Sequence, residues 1–320
     1  MRRRLFFIAF ALLIGSAAFA QTAEEAATIF NEGVELNKTN VAEAIVKFEK
    51  AIEIASQVGE EADDVKNQII AILPGLYFNK ATGLLGEAKY AEAITAFEET
   101  IKCAEKYNNE DNLSKAKDAI GQVYFVQAGN AIKEKKFDEA IGLFDKGLEI
   151  NPNNSEALFL KGGALLNAGK VDESIVLYDG LLKQATEAEN EEDIVKIKKI
   201  MSAAYLSKAS VALKAKKNAE AQASLEKCVE YGDNANAYTQ LASLYNTQKL
   251  HDKTIVAATK ALELRKSESA DKKANINFFL GSAYQAKENT EKACAAFKNA
   301  LFPPYAESAK YKMEHELKCK

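Results

Sequence analysis

The sequence predicts an all-α protein built from about seven stacked helix hairpins, and three observations carry that reading. The chain has 320 residues, 48% of them hydrophobic, with only 4 Pro and no Trp, an ordinary globular composition poor in chain breakers. A motif of a small residue, a ring four residues on and a second small residue seven on recurs along it. The stretches between copies keep helical periodicity and are not Gly/Ser-rich linkers.

The first 20 residues stand apart. Arg2, Arg3 and Arg4 make a basic start, Leu5 to Ile14 is unbroken apolar sequence, and Ala18-Phe19-Ala20 supplies small residues two apart before Gln21. This is the pattern of an export signal cleaved before Gln21, with an uncleaved anchor helix as the alternative. Its apolar core is about half of the ~20 residues a membrane span needs. No later segment approaches such a run, so no transmembrane segment is expected in the mature chain. No Cys sits at the cleavage point, so no lipid anchor is signalled. Losing the three arginines takes the formal net charge from −4 to −7, which disfavours a nucleic-acid partner.

The repeats follow in order. The motif reads Ala44, Phe48, Ala51; then Ala93, Phe97, Thr100; then Ala140, Phe144, Gly147. It continues as Ser174, Tyr178, Leu181; Ala221, Leu225, Cys228; Thr254, Ala258, Ala261; and Ala293, Phe297, Ala300. Upstream of each lies a second helical pattern with a small residue at its middle: Gly33, Ala81, Ala128, Gly162, Ala209, Ala242 and Gly281. Spacings of four and seven return to one face of a helix. Small residues on both helices let their backbones approach, and a hairpin that cannot bury its apolar side alone stacks on the next copy to make a solenoid. Pro152 stops one helix, and Asn153 with Glu156 is the expected capping box of the next.

Successive motifs are 49, 47, 34, 47, 33 and 39 residues apart. The added residues after units one, two and four stay helical in pattern, so longer helices are expected there, the excess shared between a second helix and the following first helix. Each would gain about two turns, or ~10 Å, and form a projecting ridge. Pro74 falls inside one of them and is expected to kink it. After Pro303 and Pro304 the charged amphipathic tail reads as a capping helix. The domain reading is therefore a signal peptide at 1–20, a solenoid at 21–303 and a capping helix at 304–320.

The third unit resembles the tetratricopeptide repeat through Tyr124, Ala128, Phe137, Ala140, Phe144, Gly147 and Pro152. The second, fourth and seventh units resemble it well. The first, fifth and sixth are degenerate, with Asn218 and His251 where an aromatic is usual and Ala258 in place of a ring. The resemblance implies a right-handed α–α superhelix with a concave groove lined by the first helices, and an exported bacterial member of the family. It implies that the residue after each first-helix aromatic faces the groove: Phe30, Phe78, Phe125, Phe159, Leu206, Thr239 and Phe278. All but Thr239 are the candidate partner-binding residues; the alternative is that they are family core. The family's clamp for a terminal carboxylate would want Lys and Asn where the chain has Phe125 and Gly129, or Phe159 and Gly163. A receptor for chaperone tails is not expected.

Catalysis finds no support. His251 and His315 are isolated, so no metal site or nucleophilic triad can be assembled, and no phosphate loop or nucleophile elbow occurs. No cofactor is expected. Of the four cysteines, Cys103 and Cys228 fall in distant units. Unpaired thiols are expected throughout, with a Cys294–Cys319 bridge across the last hairpin as the alternative. The expected function is a non-catalytic periplasmic scaffold that binds a protein or peptide in its groove. A structural subunit of an envelope assembly or transport machine is the alternative, as is a secreted or peripherally outer-membrane-associated location. A glycan-binding or hydrolytic protein has neither Trp platforms nor a carboxylate pair behind it.

Overall fold

The computed structural model describes residues 22–319. The predicted signal peptide and cleavage position lie outside the described residues. Among those residues all regular structure is helical. The chain forms two compact units that divide between Ala157 and Leu158.

The first unit holds α1 (22–36), α2 (Val41–Val58), α3 (Asp63–Gly86), α4 (Tyr90–Lys106), α5 (Glu110–Lys133), α6 (Phe137–Ile150) and the start of α7 (Ser155–Asn167). The second continues through α8 (Val171–Glu187), α9 (Glu191–Lys214), α10 (Asn218–Tyr231), α11 (Ala235–Thr247), α12 (His251–Leu264), α13 (Ala274–Ala286), α14 (Thr290–Lys298) and α15 (Ala306–Tyr311). A wider turn at Lys312–Glu316 extends α15, so the expected C-terminal helix is present. Odd-numbered helices up to α13 are the first helices of their hairpins, and even-numbered ones the second.

Every residue of the seven small–ring–small motifs is buried, and so is every small residue at the middle of a first helix. The motif is the core. Where the first helix carries glycine, the second-helix ring fills the space a side chain would need. A Cβ on Gly33 would stand 2.9 Å from the Phe48 ring, on Gly162 2.7 Å from Tyr178, and on Gly281 2.8 Å from Phe297.

Helix ends are set by two recurring devices. Asparagine side chains cap N-termini: Asn40, Asn109, Asn190, Asn234 and Asn289 each accept a bond from a backbone N–H of the first turn. The turn into each second helix from α4 onward places one residue at positive φ, namely Ala88, Lys135, Gly169, Lys216, Lys249 and Glu288. The next N–H then reaches back to close the helix C-terminus, as in Lys136 N to Ala131 O at 2.8 Å.

Several expectations are corrected. The cap of α7 is Asn154, not Asn153, because the Ala157 N–H finds the Asn154 Oδ1 at 2.9 Å, and Glu156 is left exposed. The added length is divided unequally. Helices α3, α5 and α9 each have 24 residues against 13 in α7, α11 and α13, whereas α2, α4 and α8 have 17 or 18 against 14 in α6, α10 and α12. First helices gain about three turns and second helices about one. The extensions pack on each other through small residues such as Ala55 with Ala62, and α4 and α5 bury Ala104 and Ala116. Helix α3 runs on through Pro74, which is buried within it.

Glu60–Gly86 is, by length and composition, apolar enough to cross a membrane, which the reading of the sequence missed. It buries Ile69, Leu73, Leu76 and Ala81 within the first unit. Finally, Cys294 and Cys319 are joined in a disulfide, with Cα atoms 5.7 Å apart, while Cys103 and Cys228 are free and buried. Unpaired thiols were the expectation for all four. The α15 extension brings Cys319 back over α14, a return that the spacing of the cysteines does not reveal.

Candidate functional site

The groove candidates are neither free nor enclosed: Phe30, Phe78, Phe125, Phe159, Leu206, Thr239 and Phe278 are all half-buried. Each ring rests on the motif ring that follows 18 or 19 residues later. Centroid distances are 5.6 Å for Phe30–Phe48, 5.4 Å for Phe78–Phe97 and 6.3 Å for Phe125–Phe144 in the first unit. In the second they are 5.4 Å for Phe159–Tyr178 and 5.7 Å for Phe278–Phe297. One face of each ring is committed to core.

Size is matched across these pairs. Where the second helix has Leu225 in place of a ring, the first has Leu206, and where it has Ala258 the first has Thr239, whose hydroxyl turns back to the Ala235 carbonyl at 2.7 Å. A large side chain is placed on the face only where a large one lies beneath to support it. The fourth hairpin adds polar ties between its helices. The Tyr178 hydroxyl donates to the Phe159 carbonyl at 2.9 Å, and the Ser174 hydroxyl donates to the Gly162 carbonyl at 2.8 Å. Burial pushes the Tyr178 phenol up to about 12. In the third hairpin the space at Gly147 is taken by Phe125, whose ring would stand 2.3 Å from a Cβ added there.

Two features of this face were not legible in the sequence. The Lys196 ammonium of α9 lies 4.2 Å from the centroid of Phe159, a cation–π contact. The Tyr305 ring, just before α15, lies 5.1 Å from Phe278 and 6.0 Å from Phe279. Both depend on helix lengths and returns that repeat spacing alone does not fix. Among the described residues no group of three or more His, Cys, Asp or Glu side chains is placed to hold a metal ion.

Models of the tetratricopeptide repeat match residues 131–190, 202–231 and 274–301. The chain carries tetratricopeptide repeats. The matched segments include the α9–α10 hairpin, one of those whose pattern departs from the repeat at Asn218. No curated protein matches the chain.

Solved structures of other tetratricopeptide-repeat proteins are similar at low identity. MamA is 22% identical over 61% of this chain and 95% of its own, with a TM-score of 0.35. YrrB, described as having an unusual peptide-binding site, is 18% identical over 60% of this chain and 91% of its own, with a TM-score of 0.35. TTC0263 of Thermus thermophilus is 19% identical over 62% and 98%, with a TM-score of 0.27.

Proposed function

We propose that this tetratricopeptide-repeat protein is an exported, non-catalytic scaffold that binds another protein or peptide through Phe30, Phe78, Phe125, Phe159, Leu206 and Phe278. The observation that carries the reading is the half-burial of these side chains. Each has one face seated on a core residue, so it is held in place, and remains partly exposed, so a partner can cover it without first ordering it. Lys196 lies on the Phe159 ring and Tyr305 on the Phe278 ring, which leaves Phe30, Phe78, Phe125 and Leu206 as the more open members. Fixed apolar surface of this kind is what a segment of another chain can bury at low entropic cost. Export to the periplasm is supported by the N-terminal pattern and by the Cys294–Cys319 bridge, since disulfides persist in oxidising compartments. The 24-residue helices favour a second reading, a structural subunit of an envelope assembly, in which those extended hairpins are the contact.

Replacing Phe78 and Phe125 together with Ser tests the first reading. Circular dichroism should show an unchanged helix content, and capture of the wild-type partner from an envelope fraction should fall at least tenfold, since anchors of this type are worth ~2 kcal/mol or more each. Undiminished capture by a folded variant would move the site to the extended hairpins. Intact mass of the native protein tests export: a chain beginning at Gln21 is expected, and retention of Met1 to Ala20 would overturn it.

A further inference from the structure

The ring face also discriminates by what it lacks. On each first helix the ring position, the residue after it, and those four and seven beyond it lie on one side. On α5 these are Phe125, Val126, Gly129 and Ile132. Across the seven first helices these four positions include no Asp, Glu, Lys or Arg, and none of them is buried. A chain that is 28% charged would place about eight charges there at random. Extending the face to the position three residues before the ring adds a single charge, Glu156 of α7.

The second unit shows what such a face accepts. Its last first helix, α13, is covered by the chain's own C-terminal segment, and the group seated on Phe278 and Phe279 is an uncharged ring, Tyr305. Met313 and Leu317 pack into the same cluster. The charged groups of that segment stay at the edge. Lys312 and Glu316 hydrogen-bond Gln285, at the far end of the face, and pair with each other at 3.2 Å, while the Lys312 ammonium stands 6.0 Å from the centroid of the Phe297 ring beneath. At the other end of the second unit Lys196 already occupies the face of Phe159, so a cationic group from a partner meets a like charge there.

We propose that the face takes an uncharged protein segment whose aromatic or long aliphatic side chains seat on the rings, in the manner of Tyr305. This rests on reading the ring face as the binding site. A charge carried onto the face would be stripped of water, and the four face positions of the first helices offer it no opposite charge in return, Lys196 over Phe159 being a cation that reaches the face from elsewhere on α9. That is the costly case of burial. The small residues beside the rings, Gly129 and Gly163 among them, leave room for the incoming side chains; nothing stands within 4 Å of where a Cβ on Gly129 would lie.

Random 12-residue peptides displayed on phage and selected on the purified chain provide the test, with a parallel selection on the Phe78→Ser/Phe125→Ser variant. Peptides that need the rings should carry Asp, Glu, Lys and Arg at less than half of their input frequency and be enriched in Tyr, Phe, Leu and Ile. Synthetic copies of them should bind within twofold between 50 and 500 mM salt. Val126→Lys, which puts a charge on the face at an exposed position, should weaken them at least tenfold, whereas Val46→Lys on the exposed side of α2 should not. Ring-dependent peptides rich in charge, or an unchanged affinity in Val126→Lys, would overturn the partner's chemistry alone. Enrichment equal on wild type and ring variant would remove the ring face itself, and the function proposed for it.

Discussion

Gly162 and Gly163 are adjacent in α7, and the packing gives them opposite roles. A Cβ on Gly162 meets Tyr178 at 2.7 Å, while on Gly163 the nearest heavy atom is the Tyr178 hydroxyl at 3.7 Å, an ordinary contact. Gly162→Ala should therefore lower stability by ~1–3 kcal/mol through overpacking. Gly163→Ala should raise it by ~0.5–1 kcal/mol through the helix preference of alanine. Thermal melts of the two variants decide it, and equal shifts would mean that the ring of Tyr178 is not over Gly162. Tyr178 also predicts a pH dependence. Its phenol ionises near pH 10 when unfolded and near 12 when folded, so the unfolded chain loses this proton first and stability falls as pH rises from about 10 to 12. Denaturant midpoints at pH 9 and pH 11.5 should drop less in Tyr178→Phe than in wild type.

At the scale of elements, the turns are where conformational cost is concentrated. Lys135 sits at φ 60 between α5 and α6, a conformation that an L side chain holds at ~1 kcal/mol or more. Lys135→Gly should relieve it and raise the melting temperature, whereas Lys133→Gly, two residues earlier in the last turn of α5, should lower it by ~1 kcal/mol. The two variants have the same composition, so a common direction would discard the strain argument. The helices themselves could be read from sequence because core packing imposes its period directly: a position that touches the neighbouring backbone must be small. The turns could not be read so well. Only Gly59, Asn108 and Gly169 among the positive-φ residues are of types that advertise the conformation; the others are alanine, lysine and glutamate whose backbone is dictated by the turn. For the same reason Asn154 and not Asn153 caps α7, since both are good caps and only the length of the linker chooses. The division of the added residues was open because a 24-residue and a 17-residue helix share the same periodicity. The ring face was legible through the repeat resemblance, but its supports were not. Which ring is covered by Lys196 or Tyr305 depends on how far a neighbouring helix extends.

At the scale of the whole chain the cysteines give the most compact test. Cys103 is buried and its thiol is pushed up to about 11, chiefly by burial and next by the Glu49 carboxylate. Cys228 is fully enclosed and its thiol is also raised by burial, against the opposing effect of the Ser202 hydroxyl at 3.3 Å. Neither offers a thiolate to a reagent at neutral pH. With Cys294 and Cys319 bridged, the native protein should therefore show no fast-reacting thiol. The unfolded, unreduced protein should show two, and the unfolded, reduced protein four. Four thiols without reduction would remove the bridge and with it one support for export. Reduction of the folded protein has a local consequence, because repeat proteins gain stability mainly from contacts between neighbours. A bridge closing a span of 25 residues stabilises by ~3 kcal/mol in the chain-entropy account. That loss should fall on the segment held down by Tyr305, Met313 and Leu317. Hydrogen exchange in α15 should accelerate after reduction while α9 to α12 keep their protection. Acceleration that reached α9 would show that the tail supports the second unit as a whole, and that its contact with Phe278 is structural and not a model for a partner.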